Sequence, residues 1–261
     1  MNRFGAFLIH LGISLVIFAV LAYVVLYVWY PDFFFASDGG WQGIRIIVMV
    51  DLVLGPTLTL VVFNRKKPRR ELRRDLSIIG TFQAICLVAG TYIVYMERPL
   101  ALVYSDGQFF SVSADDYRDA GLPVPDLSGL PGPYPKRVIV ELPDDYRAQA
   151  EVRQQAIQNR TPLRTLAQYY VPFDYARLDA DKEALTAEAL QEREQRTGDV
   201  SAWLARHGGN IDDYAFFRFG ARYQYLILGL SRADGRIVGL MDTDLKLKPA
   251  NVQVAEAASA R

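Results

Sequence analysis

Residues 64–74, NRKKPRRELRR, carry seven Lys or Arg in eleven positions and lie between two apolar runs long enough to cross a bilayer. A spanning helix rises 1.5 Å per residue and needs about 20 apolar residues to cover roughly 30 Å of hydrocarbon. Residues 7–29, 44–63 and 76–96 each satisfy that requirement. A dense basic segment between two spans stays on the cytoplasmic side, so Arg65, Lys66, Lys67, Arg69, Arg70, Arg73 and Arg74 set the topology. The N-terminus, with Arg3, is then inside. The connection at 30–43 holds Asp32 and Asp38 but only one aromatic-rich boundary, Trp29, Tyr30 and Trp41, and no cation, so it is outside. Three spans leave everything after residue 97 outside as well.

The first run is longer than the roughly 7–15 residues of a signal-peptide core and no small-residue cleavage pattern closes it, so it reads as a retained anchor. Zero net charge conceals an asymmetry. Residues 1–96 hold nine basic and five acidic side chains, and residues 97–261 hold twenty and twenty-four. A mildly acidic outer part argues against nucleic acid as a partner. The lone cysteine, Cys86, falls in the third span, so the outer part has no thiol and must rely on an ordinary hydrophobic core.

The fold class that follows is a membrane protein of three transmembrane α-helices, N-terminus in and C-terminus out, with an α+β periplasmic domain. The boundaries are 1–97 for the membrane region, 98–248 for the outer domain and 249–261 for a flexible tail. Hairpins are expected where 100–104 and 108–113 flank Ser105-Asp106-Gly107, and where 223–230 and 236–241 flank Arg232-Ala233-Asp234-Gly235. Residues 136–142 read as a strand, and 144–160, 179–196 and 199–206 as helices. Residues 121–135, with five prolines, read as a solvated connecting loop, with a docking strip for a partner as the sharper alternative.

Catalytic and metal-binding patterns are missing from the sequence: no phosphate-cradling glycine loop, no Cys/His ligand spacing and no nucleophile elbow. No cofactor is expected. His207 reads as the cationic end of a short helix. The acidic pairs at 115–116, 144–145 and 212–213 read as caps.

Within the bilayer, Asp51 lies about 10 Å below the outer edge of the second run, where an ionised carboxylate is costly unless paired. Gly55-Pro56 follows, and a proline cannot donate to the carbonyl of Leu52, so a kink is expected beside the acid. By depth, His10 and Gln83 fall some 10–15 Å from Asp51, and Arg45 turns away to snorkel outward. Asp51 is therefore expected to lack a counterpart in the chain. It is also the one acid well inside a span, and a membrane aspartyl protease would need two.

Three stretches point to a family. They are Asp51-Leu52-Val53-Leu54-Gly55-Pro56-Thr57-Leu58-Thr59-Leu60, Glu71-Leu72-Arg73-Arg74-Asp75-Leu76-Ser77-Ile78-Ile79-Gly80, and the Arg98-Pro99 exit. Over roughly residues 1–115 the chain resembles the TfpX/TfpZ type IV pilin accessory proteins; beyond that the likeness rests on overall length and the closing turn at 234–239. The resemblance implies a bacterial inner-membrane protein, without enzymatic activity, that supports a cognate major pilin. The expected contact for the pilin's apolar helix is Asp51, Gly55 and Pro56, with the outer domain meeting the pilin head and the basic segment meeting membrane lipid. The alternative is a membrane-anchored periplasmic ligand-sensing subunit that signals through a second protein, since about six and eleven cytoplasmic residues leave no room for an output domain.

Overall fold

A computed structural model describes residues 3–64 and 67–246 of the chain. It divides into two units, Met1–Arg98 and Pro99–Arg261. The tail expected after residue 248, together with Arg65 and Lys66 of the basic segment, lies outside the described residues.

The first unit has three helices long and apolar enough to cross a membrane: α1, Arg3–Trp29; α2, Gly40–Val62; and α3, Arg69–Glu97. Their outer surfaces are greasier than their contacts. Leu8, Ile13, Val16 and Val20 of α1 are exposed while Ser14 and Ala6 are buried. In lipid the apolar side chains lose nothing by facing outward, and small or polar residues take the helix interfaces. Gly43 shows the same logic on α2, because a Cβ there would come within 2.9 Å of Val94 on α3. At that end Tyr30 is buried and donates its hydroxyl to the Val94 carbonyl at 2.8 Å, and Trp29 packs edge-on against Tyr95.

All three helices begin earlier than the apolar runs read from the sequence, α1 at Arg3 rather than 7. α2 starts at Gly40 rather than 44, because Gly39 adopts φ 95° and turns the chain directly into the helix. α3 starts at Arg69 rather than 76, so most of the basic segment is helix and not loop. Pro68, extended at ψ 142°, opens it, and Lys67 bridges to Asp75 at 2.7 Å and Glu71 at 3.8 Å across the first turns.

The second unit is built on a seven-stranded sheet in the order β4-β3-β1-β2-β5-β6-β7. The strands are β1 Pro99–Ser105, β2 Gln108–Ser113, β3 Lys136–Val140, β4 Tyr170–Pro172, β5 Tyr214–Gly220, β6 Gln224–Ser231 and β7 Ile237–Lys246. β1/β3 and β2/β5 pair parallel, and the remaining neighbours pair antiparallel. The longer helices are α4 Ala114–Asp119, α5 Tyr146–Gln158, α6 Ala187–Thr197 and α7 Asp199–His207.

Both expected hairpins form. Asp106 and Gly107 take φ 49° and 75°, the pair of positive values that a two-residue turn between twisted strands requires. Trp203 of α7, fully buried, packs with Leu190, Val200, Phe216, Ile227 and Met241. Ala101, Val103, Val112, Tyr117 and Val138 form a second cluster. On the alternate pleat positions Tyr104, Phe109 and Phe217 meet with ring centroids 4.8–5.7 Å apart.

Other parts correct the sequence reading. The helix expected over 179–196 is broken into Ala180–Glu183 and α6, because Thr186 caps a fresh start by accepting the Ala189 N–H at 3.3 Å. The proline-rich segment is not simply solvated: Leu122, Leu127 and Leu130 pack on the second cluster, and Lys136 donates to the Leu130 and Gly132 carbonyls at 2.7 and 2.8 Å. The acidic pairs do cap: Asp116 accepts from Ser113 N–H, Asp145 from Ala148 N–H and Asp213 from Asn210 N–H.

Candidate functional site: a polar cluster among the three long helices

Asp51, expected to stand alone, has partners within the chain. Its Oδ1 accepts from Ser14 Oγ of α1 at 3.2 Å and from Gln83 Nε2 of α3 in a short contact. The same amide nitrogen lies 3.3 Å from the Asp51 carbonyl and from Ser14 Oγ. Gln83 Oε1 meets His10 Nε2 at 2.9 Å, and His10 Nδ1 meets Thr59 Oγ1 at 2.5 Å. One network thus ties α1, α2 and α3 together through Ser14, His10, Asp51, Thr59 and Gln83.

These residues meet because the helices extend beyond the apolar runs. Asp51 lies eleven residues from either end of Gly40–Val62, and Gln83 lies fourteen residues from either end of Arg69–Glu97. Ser14 is within two residues of the centre of Arg3–Trp29. With true helix ends the three residues share one depth, whereas ends at 44 and 76 displaced them from one another. The signal was present: each is a polar residue within an otherwise apolar run. Arg45 is exposed, as expected, with its guanidinium 5.2 Å from the Trp41 ring centre.

Gly55 and Pro56 make the cluster possible. Over Val48–Leu54 the backbone widens to a π-helix, and the Gly55 N–H bonds to the Val50 carbonyl, five residues back. Pro56, which has no N–H, then sits in the first turn of the following α-helical segment. Such widened turns re-aim side chains and are frequent at functional sites. A Cβ on Gly55 would fall 2.2 Å from Gln83 Oε1 and 2.5 Å from its Cδ. Glycine is therefore what admits the Gln83 amide to Asp51. The space beside Gly55, one of the residues expected to meet a pilin helix, is filled in this structure by a side chain of α3.

Asp51 is 1 % exposed, Ser14 1 % and Thr59 3 %. At such burial each polar group must find its partner within the protein. Asp51 Oδ2 has no hydrogen-bond partner among the described residues, which marks the carboxyl as the least satisfied member of the network. The arrangement can clamp the three helices together.

The second unit offers polar pairs of a structural kind. Arg193, buried, donates to Asp199 and to the Asp242 carbonyl. Tyr104 donates to Glu183 at 2.5 Å, and burial together with that carboxylate pushes its phenol well above the usual range. His207 Nδ1 lies 2.9 Å from the Trp203 carbonyl and its ring stacks on Trp203, as befits a helix end. Among the described residues no group of three or more His, Cys, Asp and Glu side chains is placed to hold a metal ion.

Fold and site define a class: an assembly of three membrane-length helices locked by an internal polar network and followed by an α+β sheet unit. The chain belongs to the fimbrial assembly protein family, FimB, whose family model matches residues 1–33. It is 33% identical over 96 residues to the fimbrial assembly protein of serogroups C1 and C2 of Dichelobacter nodosus, covering 37% of this chain and 73% of that protein. The serogroup I and serogroup E1 proteins of the same organism are 33% and 32% identical over 96 residues. The match spans 37% of the length of each of those two relatives. No solved structure matches the chain.

Proposed function

We propose that this protein is an inner-membrane accessory factor for type IV pili, of the TfpX/TfpZ kind, that stabilises or helps to assemble a cognate major pilin. The observation that carries this reading is the match to fimbrial assembly proteins, which points to an assembly role rather than to catalysis. A pilin before assembly is a membrane helix bearing a globular head. A helper needs membrane helices for the first and a domain on the same side of the membrane for the second. In this reading the N-terminus is cytoplasmic and the sheet unit, Pro99–Arg261, is periplasmic, with the basic segment inside.

The polar network gives the membrane part a defined shape. Asp51, Gly55 and Pro56 act on the pilin helix by setting how α3 lies against α2, and the helix itself packs on the outside of the bundle. A groove of about 590 Å³ between α1 and α3 suits it, with Val16, Val20, Leu21, Val88 and Tyr92 along its walls and Trp29 and Tyr95 at one end. In lipid, close packing rather than transfer from water drives such association, so a preformed groove matters more than apolar area.

In-membrane crosslinking tests the proposal directly. A photo-reactive residue replacing Val88 is expected to capture the major pilin, and one replacing Ile78, on α3 outside the groove, is not. Capture from both positions alike, or from neither, contradicts the docking mode. Asp51→Asn and Gly55→Leu are expected to lower pilin abundance and surface pili together, and wild-type levels of both would remove the cluster from the account.

A further inference from the structure

We propose that the basic end of α3 carries a binding site for one anionic phospholipid, formed by a single stripe of the helix. Arg74, Ser77, Ile78, Thr81, Phe82 and Ile85 line a groove of about 420 Å³. Their spacing of three, four, seven, eight and eleven residues puts them on one helix face, and all six are exposed. Eleven residues at 1.5 Å each cover roughly 16 Å, about half the 30 Å hydrocarbon thickness, which is the depth of one leaflet.

The chemistry is graded along that length. The Arg74 guanidinium stands at the basic end, the Ser77 and Thr81 hydroxyls occupy the next two turns, and Ile78, Phe82 and Ile85 form the apolar remainder. A glycerophospholipid presents phosphate, then ester and glycerol oxygens, then an acyl chain, in the same order. The small side chains at 77 and 81, between the bulk of Ile78, Phe82 and Ile85, are what hollow the stripe.

Charge selects among headgroups. Arg70 lies one turn above Arg74 on the same face, is exposed, and has no ion pair among the described residues. The acids nearby are already engaged: Glu71 and Asp75 are bridged by Lys67, with Arg74 3.6 Å from Asp75. Arg70, with no ion pair among the described residues, and Arg74, 3.6 Å from a carboxylate that Lys67 already bridges, favour a headgroup of net negative charge over a zwitterion whose ammonium would face them. The occupant is therefore a phosphatidylglycerol-type lipid rather than a choline or ethanolamine lipid. This site is separate from the polar cluster and from the groove between α1 and α3.

Native mass spectrometry of the purified full chain, in micelles doped with equal amounts of phosphatidylglycerol and phosphatidylcholine of matched chains, tests the proposal. Wild type is expected to retain phosphatidylglycerol at least fivefold over phosphatidylcholine, and Arg70→Gln/Arg74→Gln to abolish the preference. Arg69→Gln/Arg73→Gln removes the same charge from positions about 140° and 100° round from Arg74 on a helix that turns 100° per residue, and is expected to keep the preference within twofold. Thr81→Trp, which fills the groove and leaves the charge intact, is expected to lose phosphatidylglycerol retention, with circular dichroism confirming that helicity is unchanged. Equal retention of the two lipids by wild type, an equal fall in both arginine pairs, or full retention by Thr81→Trp overturns the proposal.

Discussion

Replacing Gln83 by Leu tests the polar cluster most sharply, because one amide serves three partners. The change removes the donation to Asp51 Oδ1, the weaker contacts to the Asp51 carbonyl and Ser14, and the acceptor facing His10. Leu is close to Gln in volume, so the gap beside Gly55 stays filled and the effect reports hydrogen bonding rather than a cavity. Membrane hydrogen bonds average about 0.6 kcal/mol with a maximum near 1.7. Leaving a buried partner unsatisfied costs about 1–3 kcal/mol. With Asp51 reduced to Ser14 alone and Oδ2 already unpartnered, the expected loss is about 2–3 kcal/mol. The assay is denaturant unfolding of the purified protein in micelles. The companion variant Asp51→Leu/Gln83→Leu removes both ends of the bond, which is close to neutral when the shapes are kept. It should therefore recover at least half of the loss, a coupling that a double-mutant cycle measures. A Gln83→Leu protein within 0.5 kcal/mol of wild type, or losses that simply add in the double variant, would refute the reasoning.

Three further outcomes follow from the packing. Gly55→Ala, whose new methyl would sit 2.2 Å from Gln83 Oε1, is expected to cost about 1–3 kcal/mol in the same assay, and to cost much less in a Gln83→Ala background where the clash is gone. Trp203→Ala empties the centre of the cluster under β5, β6 and β7 and is expected to cost about 3–5 kcal/mol, read from near-ultraviolet dichroism on heating; a loss below 1 kcal/mol would contradict its placement. Glu194 accepts the Ser201 hydroxyl and its N–H at the start of α7, which holds the carboxyl below its usual range near 4.5. That contribution is present above the unfolded value and disappears as pH falls through the lower folded one. The stability difference between wild type and Glu194→Gln should thus shrink on acidification from pH 5 and stay flat between pH 6 and 8.

The apolar runs were legible because hydrophobic length is a local property, and the turns at 105–107 and 232–235 because glycine and aspartate encode them locally. β5 was not. Its residues, Ala215, Phe216, Phe217 and Phe219, are buried on both faces, which erases the alternation that betrays a strand. β4, three residues long and ending in Pro172, leaves no periodicity to read. In the membrane unit Asp51, Gly55 and Pro56 stood out from composition alone. Their pairing with Gln83 and Ser14 follows only once Gly39 and Pro68 fix where the helices begin. Partner choice inside a membrane is a matter of common depth, and depth is counted from helix ends that apolarity alone does not mark.

In the proposed role the chain serves a pilin through its locked helices. Deleting the gene and restoring it in single copy as wild type or as Gln83→Leu, with total major pilin and surface pili quantified together, tests that claim most directly. The account predicts that deletion lowers pilin and pili, that wild type restores both, and that Gln83→Leu restores them only in part at equal membrane abundance of the protein. Unchanged pilin and pili in the deletion strain would contradict it.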